Sequence, residues 1–411
     1  MGQQLSVSRA PRRHRGFHVL VKPVGSLCNL DCTYCYYRAK GDLLQDEMGG
    51  SMTDDLLEEF IRQYITGQDA PMVIFTWHGG EPALLGLDFY EKAVRLQQKH
   101  AGGKRIENDL QTNGLGLDDA WGRFLKRHNF LVGLSIDGPK HLHDRFRVDK
   151  GGKPTFDRVV AAAELLRRYD IVFNAMTVVN AVNADYPGEV YRFLTRELGC
   201  QRLQWLPCVE RKEFRTVPPG YWDPAMMPAL GSTAAKPGQR KSVVTEWSVA
   251  PEAWGDFLCE TFDLWFHNDR GQVLVTWFES LAAQWSGRPP QVCALAHLCG
   301  RSPVVEKDGS VYACDHFVYP EYKLGNLAAP GCSLGDLIYS ARQRRFGCDK
   351  RDRLPKYCRQ CSFRLACHGE CPKNRFIKTP DGEAGLNYLC SGLKHFLAHA
   401  DPYFRRIVAV P

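Results

Sequence analysis

The stretch Cys28-Asn29-Leu30-Asp31-Cys32-Thr33-Tyr34-Cys35 places three thiols within eight residues. Cysteines this close on one loop rarely meet disulfide geometry with one another. They can converge on one metal centre, and three is one short of the four ligands that structural zinc or a cubane cluster usually takes. An incomplete set leaves a coordination position vacant, and a vacant position is where a reacting molecule can bind. A zinc knuckle with a distant fourth ligand is the competing reading of this spacing. A second field starts at Cys293 and Cys299. It continues as Cys299-x9-Gly309-x4-Cys314, then Cys358-x2-Cys361-x5-Cys367-x3-Cys371, and ends at Cys390. Eight thiols make two complete sets of four, which zinc or [4Fe–4S] would both accept.

The elements that must hold these residues follow from hydrophobic periodicity. Residues 17–22 read as a short strand, and the first cysteine loop follows it directly. Five more strand-like runs lie at 72–77, 106–111, 131–136, 171–178 and 202–207. Helical periodicity fills 53–65, 87–100, 117–127, 155–168 and 187–198 between them. Six strands alternating with five helices predict a parallel α/β sheet, open or barrel-like. Ligands of such folds gather at the C-terminal strand ends. His78-Gly79-Gly80-Glu81-Pro82 follows the second strand, with glycines that permit close backbone approach and a carboxylate that can accept from an amine. Gln111-Thr112-Asn113-Gly114 follows the third, and Ser135-Ile136-Asp137-Gly138-Pro139 the fourth. Arg147, just beyond, can pair with a carboxylate. Each of these short motifs is, by itself, also ordinary turn chemistry. Residues 210–250 lose the alternation and carry many prolines and glycines, so they read as an irregular connector. From Pro251 a helix is expected, with Trp254, Phe257, Leu258, Phe262 and Trp265 as a core-packing stripe.

The chain has 411 residues, 44% hydrophobic, with 16 cysteines and a formal net charge of +7. That is enough for two or three domains and a large core. Acidic and basic residues are interspersed, which does not indicate a nucleic-acid surface. Met1 to Phe17 holds Arg9, Arg12, Arg13 and Arg15 but no apolar h-region, so no secretory signal is expected. No run of 18 apolar residues predicts a membrane span. The match of Met1-Gly2-x-x-x-Ser6 to a myristoylation pattern is read as chance. The expectation is a cytoplasmic protein with reduced thiols free to bind iron.

Cys-x3-Cys-x-aromatic-Cys, with Tyr34 as the aromatic residue, resembles the signature of the radical S-adenosylmethionine (SAM) enzymes. In that family three thiolates hold a [4Fe–4S] cluster whose fourth iron is chelated by SAM. The second cysteine field resembles the SPASM extension of peptide-modifying members. Phe130 to Pro139, Gly309-Ser310-Val311-Tyr312-Ala313-Cys314-Asp315, and Leu386-Asn387-Tyr388-Leu389-Cys390 resemble the anaerobic sulfatase-maturating enzymes, over about residues 17 to 400. Those enzymes oxidise an active-site Cys or Ser of a sulfatase to Cα-formylglycine. The resemblance implies a partial (β/α)6 TIM-type barrel with a C-terminal cysteine-rich SPASM domain holding auxiliary Fe–S clusters. The expected order is an N-terminal tail (1–16), the barrel (17–209), the connector (210–250), linking helices (251–292), the SPASM domain (293–390) and a C-terminal helix (391–411).

By the same resemblance, three [4Fe–4S] clusters are expected. Cys28, Cys32 and Cys35 would hold the one that binds SAM. Cys293, Cys299, Cys314 and Cys371 would hold the first auxiliary cluster, and Cys358, Cys361, Cys367 and Cys390 the second. Tyr34, Gly80, Ser135, Arg147 and Val209 would contact SAM, with Glu81 and Gln111 as further candidates. Cys200, Cys208, Cys259, Cys332 and Cys348 remain as ordinary buried thiols. His78 departs from the glutamine expected before Gly79, and the connector is longer than the family needs.

The mechanism implied runs through a 5′-deoxyadenosyl radical that takes a hydrogen atom from Cβ of the target residue. The substrate radical then loses an electron and a proton. Asp315 is the candidate proton acceptor: it matches the family's general base and directly follows Cys314, with adjacent Cα atoms about 3.8 Å apart. The partners implied are a sulfatase polypeptide and a reduced flavodoxin or ferredoxin. Two other functions compete: a SPASM maturase forming a thioether or carbon–carbon crosslink in another peptide, and a non-catalytic zinc or electron-transfer protein. The first normally carries an N-terminal recognition domain, and the second has no use for an open three-thiol site.

Overall fold

The computed structural model describes residues 16–44 and 50–409. The tail motifs at Met1-Gly2 and Arg9 to Arg15 lie outside the described residues. Six strands run parallel in chain order: β1 Val19–Lys22, β2 Met72–Trp77, β3 Arg105–Thr112, β4 Leu131–Ser135, β5 Phe173–Val179 and β6 Arg202–Pro207. Helices Asp54–Thr66, Gly86–His100, Asp119–Arg127, Phe156–Arg168 and Pro187–Arg192 connect them, the last continuing as a π turn over Phe193–Glu197. The expected alternation of strand and helix is therefore the observed one. Local chemistry sets several of the helix starts. Asp118 caps its helix by accepting from the Trp121 amide at 3.0 Å, which satisfies an otherwise orphaned donor.

The strands have two unlike faces. Phe173, Ala175, Thr177 and Val179 of β5 are buried, while Asn174, Met176 and Val178 are half-buried. The buried face meets the helices: Trp77 stacks near Phe75 and meets Tyr90 edge-on. Fully buried side chains of that size contribute roughly 1.5–3 kcal/mol each. The polar Asn108 is tolerated there because it accepts from Trp77 Nε1 and Gln97 Nε2, both at 2.8 Å. The opposite face is polar. His18, just before β1, with Thr76 of β2 and Asp109 and Gln111 of β3, forms a hydrogen-bonded chain. Burial pushes the Asp109 carboxyl up to about 6, against the donors Thr76 and Gln111.

The sheet does not end with the barrel strands. A short β7, Leu274–Val275, adds to β6, and β8, Val304–Glu306, pairs in parallel with β1. Antiparallel β9, Ser310–Tyr312, and β10, Lys323–Asn326, continue from β8, giving the order β10-β9-β8-β1-β2-β3-β4-β5-β6-β7. The cysteine-rich half is thus bonded to the barrel through backbone, including the amides of His18 and Leu20 to the carbonyls of Arg301 and Pro303. The register sets Lys22 opposite Glu306.

Residues 210–250 contain short turns, such as Pro224–Met226 and Thr233–Ala235, and isolated bridges that pair Arg211 with Val244 and Ala229 with Lys378. They fold back on the end of β6 through Thr245 N to Glu210 O at 2.9 Å and Val249 N to Cys208 O at 2.8 Å. Helix Pro251–Leu264 buries its expected stripe and crosses the C-terminal helix Cys390–Ala409 at Gly255 and Gly392. Among the described residues no helix is long and apolar enough to cross a membrane.

Candidate active site at the strand ends

The cysteine loop leaves the end of β1 and is pinned by Asp31 N to Val148 O, 2.8 Å, and Thr33 N to Phe146 O, 3.2 Å. Cys28 Sγ accepts from the Leu30 amide at 3.4 Å and from Asn113 Nδ2 at 3.8 Å. Burial pushes the Cys28 thiol up to about 11, helped by Glu81 and Cys35. Burial likewise pushes Cys32 up to about 12; Arg147 opposes this, while Cys35, Asp137 and Cys28 add to it. Cys28 and Cys32 are therefore desolvated, and Cys35 lies near both. Beneath them, Gly80 N and Glu81 N donate to the carbonyls of Gly25 and Leu27, both at 2.8 Å. A Cβ on Gly80 would overlap the Leu27 carbonyl, so only glycine fits against the loop. Glu81 itself is buried and already occupied. It accepts from Ala83 N, Thr112 Oγ1 and Asn113 N at 2.7 to 2.9 Å, tying the second strand's end to the third's.

Next to the loop, Tyr34 donates its hydroxyl to Asp137. Arg147 grips the same carboxylate, with Nε 3.0 Å from Oδ2 and Nη2 3.1 Å from Oδ1. Arg147 is 7% exposed, so its charge is fixed in place by a partner instead of solvent. Ser135 is half-buried at the end of β4, and the Gln111 side chain lies over Gly133, where a Cβ would collide with it. Val209 is buried just past β6, its carbonyl accepting from Lys373 Nζ at 2.7 Å. All seven proposed SAM contacts thus come from the ends of β1 to β6 or the loops that follow them.

Asp315 reaches the same region from the other half of the chain. It pairs with Lys22, the last residue of β1, and accepts from the Tyr36 hydroxyl. Burial alone would raise its pKa; Lys22, His78 and His316 outweigh that and hold the carboxyl well below the usual carboxylate range. Lys22 is fully buried, with Nζ 3.3 Å above the Tyr37 ring. Tyr37 in turn donates to Glu306 at 2.5 Å, and burial pushes the Glu306 carboxyl up to about 7.

Cys314 and Cys390 each lie near three of the other C-terminal thiols. Burial pushes Cys314 up, and Cys293, Cys371 and Cys299 add to the shift. Burial pushes Cys390 up to about 12, and Cys367, Cys358 and Cys361 add to that one. None of the 16 cysteines forms a disulfide. Crowded, desolvated thiols of this kind are poor sites for thiolate unless a cation joins them, so the donor sets fit iron–sulfur clusters. Among the described residues, no three His, Cys, Asp or Glu side chains converge tightly enough for a single metal ion; a cubane spreads its thiolates over four irons.

Comparison with known proteins shows the family. The Radical SAM superfamily model matches residues 23–194, and the SPASM model, an iron-sulfur cluster-binding domain, matches residues 299–362. The chain is 45% identical over 386 residues to the serine-type anaerobic sulfatase-maturating enzyme of Bacteroides thetaiotaomicron, covering 94% of this chain and 90% of that relative. It belongs to the anaerobic sulfatase-maturating enzyme family. The cysteine-type enzyme of Clostridium perfringens is 32% identical over 387 residues, covering 93% of this chain and 96% of that relative. Native anSMEcpe with bound AdoMet superposes with a TM-score of 0.80 at 31% identity, covering 96% of this chain and all of that one. As a radical SAM enzyme with a SPASM domain, the chain uses SAM and iron–sulfur clusters.

For this sulfatase-maturating enzyme homologue, sequence reasoning passed over Lys22, Tyr36, Tyr37, Asp137 and Glu306. The signal for Lys22 was present: it alternates with His18 and Leu20 and so shares the polar face. Asp137 stood in a motif already noted at a strand end. Tyr36, Tyr37 and Glu306 carried no local signal, because each acts on a partner more than 260 residues away.

Proposed function

We propose that the chain oxidises an active-site Cys or Ser of a sulfatase to Cα-formylglycine, in a reducing compartment. The observation that supports this most is Asp315: the C-terminal half delivers an ionised carboxylate to the strand-end region that also holds the three-thiol loop. Cys28, Cys32 and Cys35 would hold the SAM-binding cluster. Cys293, Cys299, Cys314 and Cys371 would hold one auxiliary cluster, and Cys358, Cys361, Cys367 and Cys390 another. When bound, these groups supply the hydrogen-abstracting species and the capacity to take up an electron. The chain's own residues do the rest. Gly80 lets the second strand's end lie flat under the loop. Tyr34, Asp137 and Arg147 fix the wall beside Cys32, with Ser135, Gln111 and Val209 completing the SAM pocket and Glu81 bracing it. Asp315, proton-free because Lys22 neutralises it, accepts the proton that the substrate gives up as its Cβ–S or Cβ–O bond becomes double. A reduced flavodoxin or ferredoxin is the proposed electron donor.

The test is anaerobic. Reconstituted protein carries about 12 iron atoms if three cubanes are present. Incubated with SAM, a reductant and a sulfatase-derived peptide, it releases 5′-deoxyadenosine and yields the aldehyde by mass spectrometry. Deoxyadenosine release with an unchanged Cys and Ser peptide would point to a different substrate.

A further inference from the structure

An open groove of about 420 Å³ lies beside the cysteine loop, with Cys28 in its wall. Three leucines line it: Leu27, 50% exposed, Leu84, 44% exposed, and the half-buried Leu115. Exposed leucines scattered singly need no explanation, but three from separate segments around one depression form a patch. Basic side chains share the lining. Lys150 and Arg158 belong to it, and Lys153 is exposed in the same turn as Lys150. Among the described residues, Asp149 is the sole acidic member of the lining. Its Oδ1 already accepts from the amides of Gly151 and Lys153, both at 2.9 Å. Lys150, Lys153 and Arg158 against Asp149 leave two positive charges.

These charges are held in place. An isolated bridge pairs Leu30 with Asp149, so backbone ties the basic turn to the cysteine loop. Arg158 is the third residue of helix Phe156–Arg168, where the helix dipole favours an anion and opposes a cation. Local structure gains nothing from that charge; an acidic partner does. None of the residues assigned to SAM or to proton transfer lines the groove, and Cys28 is its link to the site. Electron tunnelling weakens steeply with distance, so a carrier must come close to its acceptor, and the Cys28 sulfur offers a short route. Electron-transfer complexes bury small interfaces and use charge to steer the encounter. A leucine patch among surplus cations suits that kind of contact. A second basic patch, around Arg359 and Arg364 beside the 73% exposed Leu365, has no cysteine in its lining among the described residues.

We propose that the groove beside Cys28 is the docking surface for a small, acidic one-electron carrier protein, which meets the three leucines and is steered in by Lys150, Lys153 and Arg158. The carrier is oxidised by one electron and the cluster held by the three-thiol loop is reduced by one; no bond forms or breaks. The inference rests on the reading that Cys28, Cys32 and Cys35 hold the SAM-binding cluster. It brings the electron in at Cys28 and leaves the Asp315 side to the substrate polypeptide.

The experiment uses the anaerobically reconstituted holoenzyme and two acidic probes, a bacterial flavodoxin and a bacterial ferredoxin. Binding of the oxidised carriers is read by calorimetry, and cluster reduction by the reduced carriers by stopped-flow absorbance. At least one carrier should bind, about tenfold more weakly as salt rises from about 50 to about 300 mM. Lys150→Glu combined with Arg158→Glu should weaken binding and slow cluster reduction about tenfold at low salt. Dithionite needs no docking surface, so 5′-deoxyadenosine release driven by it should stay within about twofold. Arg359→Glu combined with Arg364→Glu should leave carrier binding unchanged. The surface is wrong if neither carrier binds, if binding ignores salt, if the Lys150 and Arg158 variant binds both carriers within about twofold of the parent, or if the Arg359 and Arg364 variant is the one that loses them. If the Lys150 and Arg158 variant loses a labelled sulfatase peptide but keeps the carriers, the groove belongs to the substrate, which also overturns the proposal. The salt series is read on the unaltered protein, and Lys150→Gln with Arg158→Gln repeats the test without reversing charge, so one misfolded variant does not decide the result. Deoxyadenosine release that never yields aldehyde refutes the proposed activity, not the docking surface.

Discussion

Asp315, the proposed base, has its charge set by its neighbours. With Lys22 buried against it, the carboxylate stays ionised across the physiological range, ready to accept but weak as a base. Asp315→Asn should retain SAM cleavage while aldehyde formation falls by about 100-fold or more. The variant also leaves Lys22 without its partner, so its melting temperature should fall; deoxyadenosine release from the same sample shows whether the barrel survived. Asp109 gives a pH signature. Its folded pKa of about 6 lies above the unfolded value of roughly 3.9, so ionisation opposes folding. The penalty is absent near pH 4, grows as pH rises and is complete above about 6. Asp109→Asn should therefore stabilise the protein at pH 8, by at most about 3 kcal/mol, and have little effect at pH 4. Denaturant melts at the two pH values check this, and an equal gain at both would contradict it.

Elements meet here at glycines, and two of them brace the proposed cluster sites. Gly80 lies under the Leu27 carbonyl with no room for a Cβ. Gly80→Ala must push the cysteine loop away from β2, and the reconstituted variant should lose about four of its irons with the proposed auxiliary clusters intact. Gly392 faces the Pro251 carbonyl across the crossing of helix Pro251–Leu264 with the C-terminal helix. Gly392→Ala forces the two helices apart, at about 1–3 kcal/mol. Cys390 opens that C-terminal helix, so the second auxiliary set should lose iron too. An alanine variant with unchanged melting temperature and full iron content would show that the crossing has slack.

At the scale of the whole molecule, the two halves share one sheet. Parallel pairing of β1 with β8 makes the cysteine-rich half an extension of the barrel, not a tethered module. That pairing sets Lys22 beside Glu306 and carries Asp315 to the strand ends. Metal then acts on the whole fold, because clusters bind the native thiol sets and not the unfolded chain. Removing iron with a chelator under reducing conditions should lower the melting temperature, and reconstitution should restore it. Identical melting curves with and without iron would mean that the thiol groups need no metal to hold their places.

Local pattern was enough for much of this. The two-residue alternation of strands and the 3.6-residue period of helices are written in neighbouring residues, so the six strands and five helices were legible along the chain. So was the open three-thiol loop, since its ligands lie within eight residues. Spacing could count the eight later thiols but not divide them; the division into two sets comes from family resemblance and stands as a proposal. Tertiary structure alone decided the rest. The β1–β8 pair joins residues almost 300 positions apart, and no periodicity encodes which edge a strand will find. The Lys22–Asp315 pair follows from that choice of edge. Charges far apart in sequence acquire an energy only once the fold removes the water between them.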